Sequence, residues 1–110
     1  MNELTRLTLS AYRLRDAGEE TLLAHFHREI GLLRARGHIT SRPAAVCRAG
    51  RGEYLVVSEW ATPRSVDDAH NDPEVVAVWE DKARLVEYLG LADLERSDVP
   101  FVSYDLIATI

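Results

Sequence analysis

The chain predicts an α+β fold of the ferredoxin-like kind, a split β-α-β-β-α-β unit with one antiparallel sheet and two helices on one face. Three observations predict it. Apolar residues recur at period two over 4–14 and at helical spacing in two segments, and three further segments read as strands. The segments alternate in the order strand, helix, strand, strand, helix, strand, and right-handed crossovers leave few other topologies for that order. The 110 residues, 46% hydrophobic and 28% charged, suit one domain over 1–110 that needs no metal or disulfide staple.

Each element has a local reason. Over 4–14, Leu7, Leu9 and Ala11 share one face and Thr8, Ser10 and Tyr12 the other, the pattern of a half-buried strand. Asp16 and Glu19 form a weak capping box, and Leu22, Leu23, Phe26, Ile30 and Leu33 make the stripe of a helix at about 18–36, stopped by Gly37. Segments 44–48 and 53–61 read as strands joined across Ala49-Gly50-Arg51-Gly52. A short helical turn at about 65–70 precedes a main helix at about 73–89, with Asp72 as cap and Pro73 as first residue. Val75, Val78, Trp79, Ala83, Val86 and Leu89 form its stripe, and Gly90 stops it. Leu91–Arg96 adds a turn, and the aromatic and β-branched residues of 101–110 predict a final strand. Tyr12, Thr8, Ser58, Val56 and Tyr104 are expected on the helix-free face, whose mixed polarity and aromatic bulk suit a homodimer surface.

Composition removes several function classes. Thirteen basic residues against eighteen acidic ones give a net charge of −5, which argues against nucleic-acid binding. Cys47 stands alone, so no internal disulfide forms, as suits a reducing compartment. Residues 1–6 carry no basic segment leading into an apolar one, and no apolar run approaches the roughly 18 residues a membrane span needs. A cytoplasmic bacterial protein with no membrane partner is expected. Twelve of the thirteen basic residues are Arg and only Lys82 is Lys, which reads as genome composition.

Three segments carry a family likeness: Arg6-Leu7-Thr8-Leu9, the strand Tyr54–Trp60 ending in Trp, and Ser65–Val75 with His70 ahead of the Trp79 helix. Together they resemble the antibiotic biosynthesis monooxygenase-like family of dimeric α+β barrels. The resemblance implies a pocket inside each subunit, between sheet and helices. Its members include cofactor-free oxygenases of anthrones and quinols, haem degraders, and proteins of no assigned reaction. The haem-degrading signature is absent: Thr5, Ala69 and Trp79 stand where that branch has Asn, Trp and the His ligand, so haem is not expected. From the oxidising branch, Trp60 alone maps onto a definite position.

The residues then divide into candidates. Trp60 serves as an indole donor to a ligand oxygen or as packing at the barrel end. His70, ahead of a helix start, is the candidate base, against a purely local backbone bond. Trp79, Leu9 and Phe26 are candidate ligand walls, which their apolar periodicity explains equally as core. His25 and His27 point to different sides of a helix, and His25 with Glu29 at i,i+4 is too few groups for a metal site, so no metal is expected and surface positions are assigned to both histidines. Ser58 and Cys47 have no base partner in sequence. Two functions fit: a monooxygenase of small aromatic quinol- or anthrone-like compounds without cofactor, or a non-catalytic, ligand-binding or stress-associated dimer.

Overall fold

In a computed structural model describing residues 3–110, the chain runs β1 (Arg6–Leu14), α1 (Glu19–Ala35), β2 (Ala45–Gly50), β3 (Glu53–Trp60), α2 (Ser65–His70), α3 (Pro73–Leu85), β4 (Val86–Leu89), a 3-10 turn (Leu91–Asp93) and β5 (Asp105–Thr109). The strands form one antiparallel sheet in the order β4-β1-β3-β2-β5. Its first four strands have the order of a ferredoxin-like unit. All three helices pack on one face.

Local chemistry explains most of the element ends. Gly37, at φ +74°, closes α1 with Gly37 N–H on Arg34 C=O (3.0 Å) and His38 N–H on Leu33 C=O (2.9 Å), the paired bonds of a Schellman motif. Asp72 caps α3 by accepting from the Glu74 N–H at 3.1 Å, with Pro73 as first residue. Gly52, at φ +72°, makes the two-residue reversal between β2 and β3. Asp16 does not cap α1; Gly18 does, with no side-chain bond. In place of a capping box, Glu19 accepts both nitrogens of the Arg48 fork (2.8 and 2.7 Å) and the Tyr54 hydroxyl (2.7 Å). These bonds pin the first turn of α1 to β2 and β3.

Two expectations are corrected. The helix expected to reach residue 89 ends at Leu85, and Val86–Leu89 turns into a strand beside β1. The segment alternates Val86 and Tyr88, and Val86 is fully buried opposite Leu14, so pairing with β1 outweighs the continued helical stripe. The last strand, shorter than expected, is then the fifth, at the opposite sheet edge against β2.

The faces of the sheet are also reversed. Tyr12 and Val56 are buried in the core with Phe26, Ile30 and Leu33 of α1 and Val75 of α3, while Leu7 and Leu9 are 59% and 48% exposed on the other side. Alternation separates two faces but does not label which is inside. Of the residues expected on the helix-free face, Tyr104 alone lies there. It packs with Leu94 against Ala11 and Ala49, so the segment after β4 folds back over one end of that face.

Candidate functional site

Pairing of β1 with β3 sets Thr8 opposite Ser58 and Ser10 opposite Val56. These residues and Tyr12 form the floor of a cavity of about 80 Å³ under the helices. Phe26, Glu29 and Ile30 of α1 roof it, and Trp60, Trp79 and Lys82 complete its walls. The floor is rich in hydroxyls and the roof in apolar groups.

A charged network is buried at one side. Glu29 and Lys82 side chains are 10% and 6% exposed and lie 2.9 Å apart. Lys82 Nζ also donates to the Tyr12 hydroxyl at 3.2 Å. Glu29 accepts further from Trp79 Nε1–H at 3.2 Å and from His25 Nε2 at 3.1 Å; a carboxylate only accepts, so Nε2 carries the proton. Burial alone would raise the Glu29 pKa, but the His25 hydrogen bond and the Lys82 charge overcome it and hold the carboxyl below its usual value. Burial would likewise push Lys82 down, but the Tyr12 oxygen and Glu29 carboxylate outweigh it and raise the ammonium above the ordinary lysine value. The resting pair is therefore ionic.

Toward β3, Trp60 contributes a buried indole N–H that meets no hydrogen-bond partner among the described residues. Such a donor costs about 1–3 kcal/mol if left unmade, and Trp60 lines the inner cavity, as Lys82 does. An oxygen acceptor placed there would satisfy it.

An outer groove of about 260 Å³ is lined by His70, Trp79, Lys82 and Tyr88. Trp79 and Lys82 belong to both spaces. The His70 ring meets Trp79 edge-on at 4.8 Å, and its Nδ1 bonds the Val66 carbonyl at 3.1 Å.

The expected site residues are thus brought together in part. Trp60, Trp79 and Phe26 line the cavity. His70 stands outside it, in the groove beyond Trp79. Leu9 is on the opposite face of the sheet and touches neither space, the consequence of the reversed faces. His25, assigned to the surface, is 7% exposed and bonded to Glu29.

Sequence reasoning missed Glu29, Lys82 and Tyr12 as a set. A signal existed: Glu29 falls three after Phe26 and four before Leu33, and Lys82 falls three after Trp79 and four before Val86. Each charge stands inside an apolar stripe, where a charge is expensive unless paired. The lone Lys of the chain is one of them.

Among the described residues, no group of three or more His, Cys, Asp or Glu side chains is placed to hold a metal ion. No helix among them is long and apolar enough to cross a membrane. Comparison with protein-family models, curated proteins and solved structures gives no match, so a functional reading rests on the cavity itself.

Proposed function

We propose that the protein takes a small phenol or enol into this cavity, stabilises its anion, and exposes that anion to O₂ as a cofactor-independent monooxygenase. The observation that carries the reading is that one cavity is lined both by Lys82, whose ammonium is buried, and by Trp60, whose buried N–H has no partner among the described residues. Both favour a negatively charged oxygen. Glu29, held below its usual pKa, is a weak base. The protein therefore works by making the ligand's own O–H more acidic, as a nearby cation does in a dry site. This replaces His70 as the driver of proton loss. The electron-rich anion then reduces O₂: its ring carbon takes one oxygen atom, the other leaves as water with two hydrogens of the substrate, and the substrate, oxidised to the quinone level, supplies all four electrons.

Size sets a further condition. About 80 Å³ holds two or three waters at about 30 Å³ each. A ring needs more room, and Trp79, which lines both the cavity and the outer groove and is bonded to Glu29, is the wall it would have to displace.

4-Nitrophenol tests the anion step, because its anion is yellow. The expected result is a bound anion at pH values where the free compound is colourless, lost in Lys82→Met. Trp60→Phe is expected to weaken binding about tenfold, equal to about 1.4 kcal/mol, with stability changed by about 1 kcal/mol or less. Oxygen uptake over catechols, hydroquinones and anthrones, with EDTA present, tests turnover. No anion binding and no uptake sinks the reading.

One observation favours a ligand-binding protein without turnover: Glu29, the cavity's carboxylate, already accepts from three donors. Anion binding with no oxygen uptake decides for it.

We also propose that the helix-free face forms a homodimer. Leu7, Leu9 and Leu106 are 59%, 48% and 60% exposed there, and a two-fold partner offers the same apolar surface in return.

A further inference from the structure

We propose that Lys82 is an amine nucleophile that forms an imine with a small aldehyde or ketone in the inner cavity. The inference goes beyond the anion-stabilising role above and shares with it only the premise that the cavity takes a ligand.

Four observations converge. Lys82 is the one lysine among thirteen basic residues. A surface charge is filled everywhere else by Arg, whose guanidinium does not act as a nucleophile; the buried position alone holds a primary amine. Lys82 lines both the inner cavity and the outer groove. Groups able to move protons sit on either side, Glu29 Oε2 at 2.9 Å and the Tyr12 hydroxyl at 3.2 Å. The Tyr12 oxygen accepts from Lys82, so its own hydrogen is free to reach a carbonyl oxygen. Finally, about 80 Å³ suits a molecule of the size of two or three waters, which a small carbonyl compound meets without any wall residue moving.

The step balances without a redox partner. The ionic resting pair must first exchange a proton, uphill, from Nζ to Glu29 Oε2 across 2.9 Å; the small share of free amine so formed adds to the carbonyl carbon, forming the C–N bond. The carbinol oxygen gains one proton from Tyr12 or Glu29, then a second, and leaves as water. In sum, the carbonyl compound and the Lys82 ammonium give a protonated imine and one water.

Pyruvate and propanal, each incubated with the folded protein and cyanoborohydride, test this. The reductant traps an imine as a stable secondary amine, read by peptide mass spectrometry. With one lysine, the adduct on Lys82 is unambiguous, and the α-amino group serves as internal reference. The expected result is labelling of Lys82 by at least one probe, faster than the α-amino group, and slowed tenfold or more in Glu29→Gln and severalfold in Tyr12→Phe. If Glu29→Gln fails to fold, the wild-type ratio and Tyr12→Phe still decide. Labelling of the α-amino group alone overturns the proposal, because a purely structural buried ammonium is protected. Absent Lys82 labelling with intact 4-nitrophenol binding sinks the imine and leaves the anion reading standing; the converse result does the opposite.

Discussion

Glu29 and Lys82 are the residues on which stability and chemistry meet. A buried ion pair contributes little against an apolar pair, but breaking one is costly. Glu29→Gln should therefore cost about 3–5 kcal/mol in urea unfolding, and Glu29→Gln with Lys82→Met should recover most of it. The pH dependence follows from the direction of each shift. Glu29 titrates below its reference value of 4.5, so its contribution is present above that pH and is lost as pH falls through the lower folded value. Lys82 titrates above 10.5, so its contribution is present below that pH and is lost as pH rises through the higher folded value. The melting temperature should form a plateau between about pH 5 and 10, with acid and alkaline shoulders that flatten in the double variant. A wild type whose shoulders match those of the double variant would remove the pair from the stability account.

Among the elements, α3 matters most, since it carries both Trp79 and Lys82. Its start is held by Asp72, which caps the Glu74 N–H and accepts from Arg36 at 2.7 Å. Asp72→Ala should cost about 1 kcal/mol and weaken 4-nitrophenol binding by loosening that helix. At the start of α1, Gly18→Ser should stabilise by a few tenths of a kcal/mol, because the cap position lacks a side-chain acceptor and has open space around it. The bodies of α1 and α3 were legible from their apolar stripes, and the Gly37 stop, the β2–β3 hairpin and the Asp72 cap from strong local punctuation, whereas the start of α1 and the end of α3 were not. β4 was not, because Val86 and Leu89, three apart, continue the helical stripe, and only pairing with β1 overrides it. The face of β1 was illegible for a related reason: Leu7 and Leu9 look like core until something shows what covers them. Of the site, Trp60, Trp79 and Phe26 could be named from their bulk. The charged network could not be assembled, since it joins α1, α3 and β1 across 70 positions from Tyr12 to Lys82.

For the molecule as a whole, the bare end of the sheet predicts assembly. Sedimentation at micromolar concentration should give about twice the monomer mass, and Leu9→Lys should return it to one copy with the cavity's 4-nitrophenol binding retained. A monomeric wild type would refute the dimer without touching the cavity. The same sheet also bears on how quickly the protein reaches its native state. β1 pairs with β3 and β4, and β2 with β5, all far apart in sequence, and loops that long make non-local pairing slow. The β2–β3 hairpin is the one adjacent pair of strands. It is therefore the natural nucleus, and its turn rests on Gly52 at φ +72°. An alanine there meets no neighbour but is strained by about 1–2 kcal/mol in that conformation. In stopped-flow refolding, Gly52→Ala should show that loss almost wholly as slower folding, with unfolding scarcely faster. One glycine would then set the pace at which a sheet of five strands comes together.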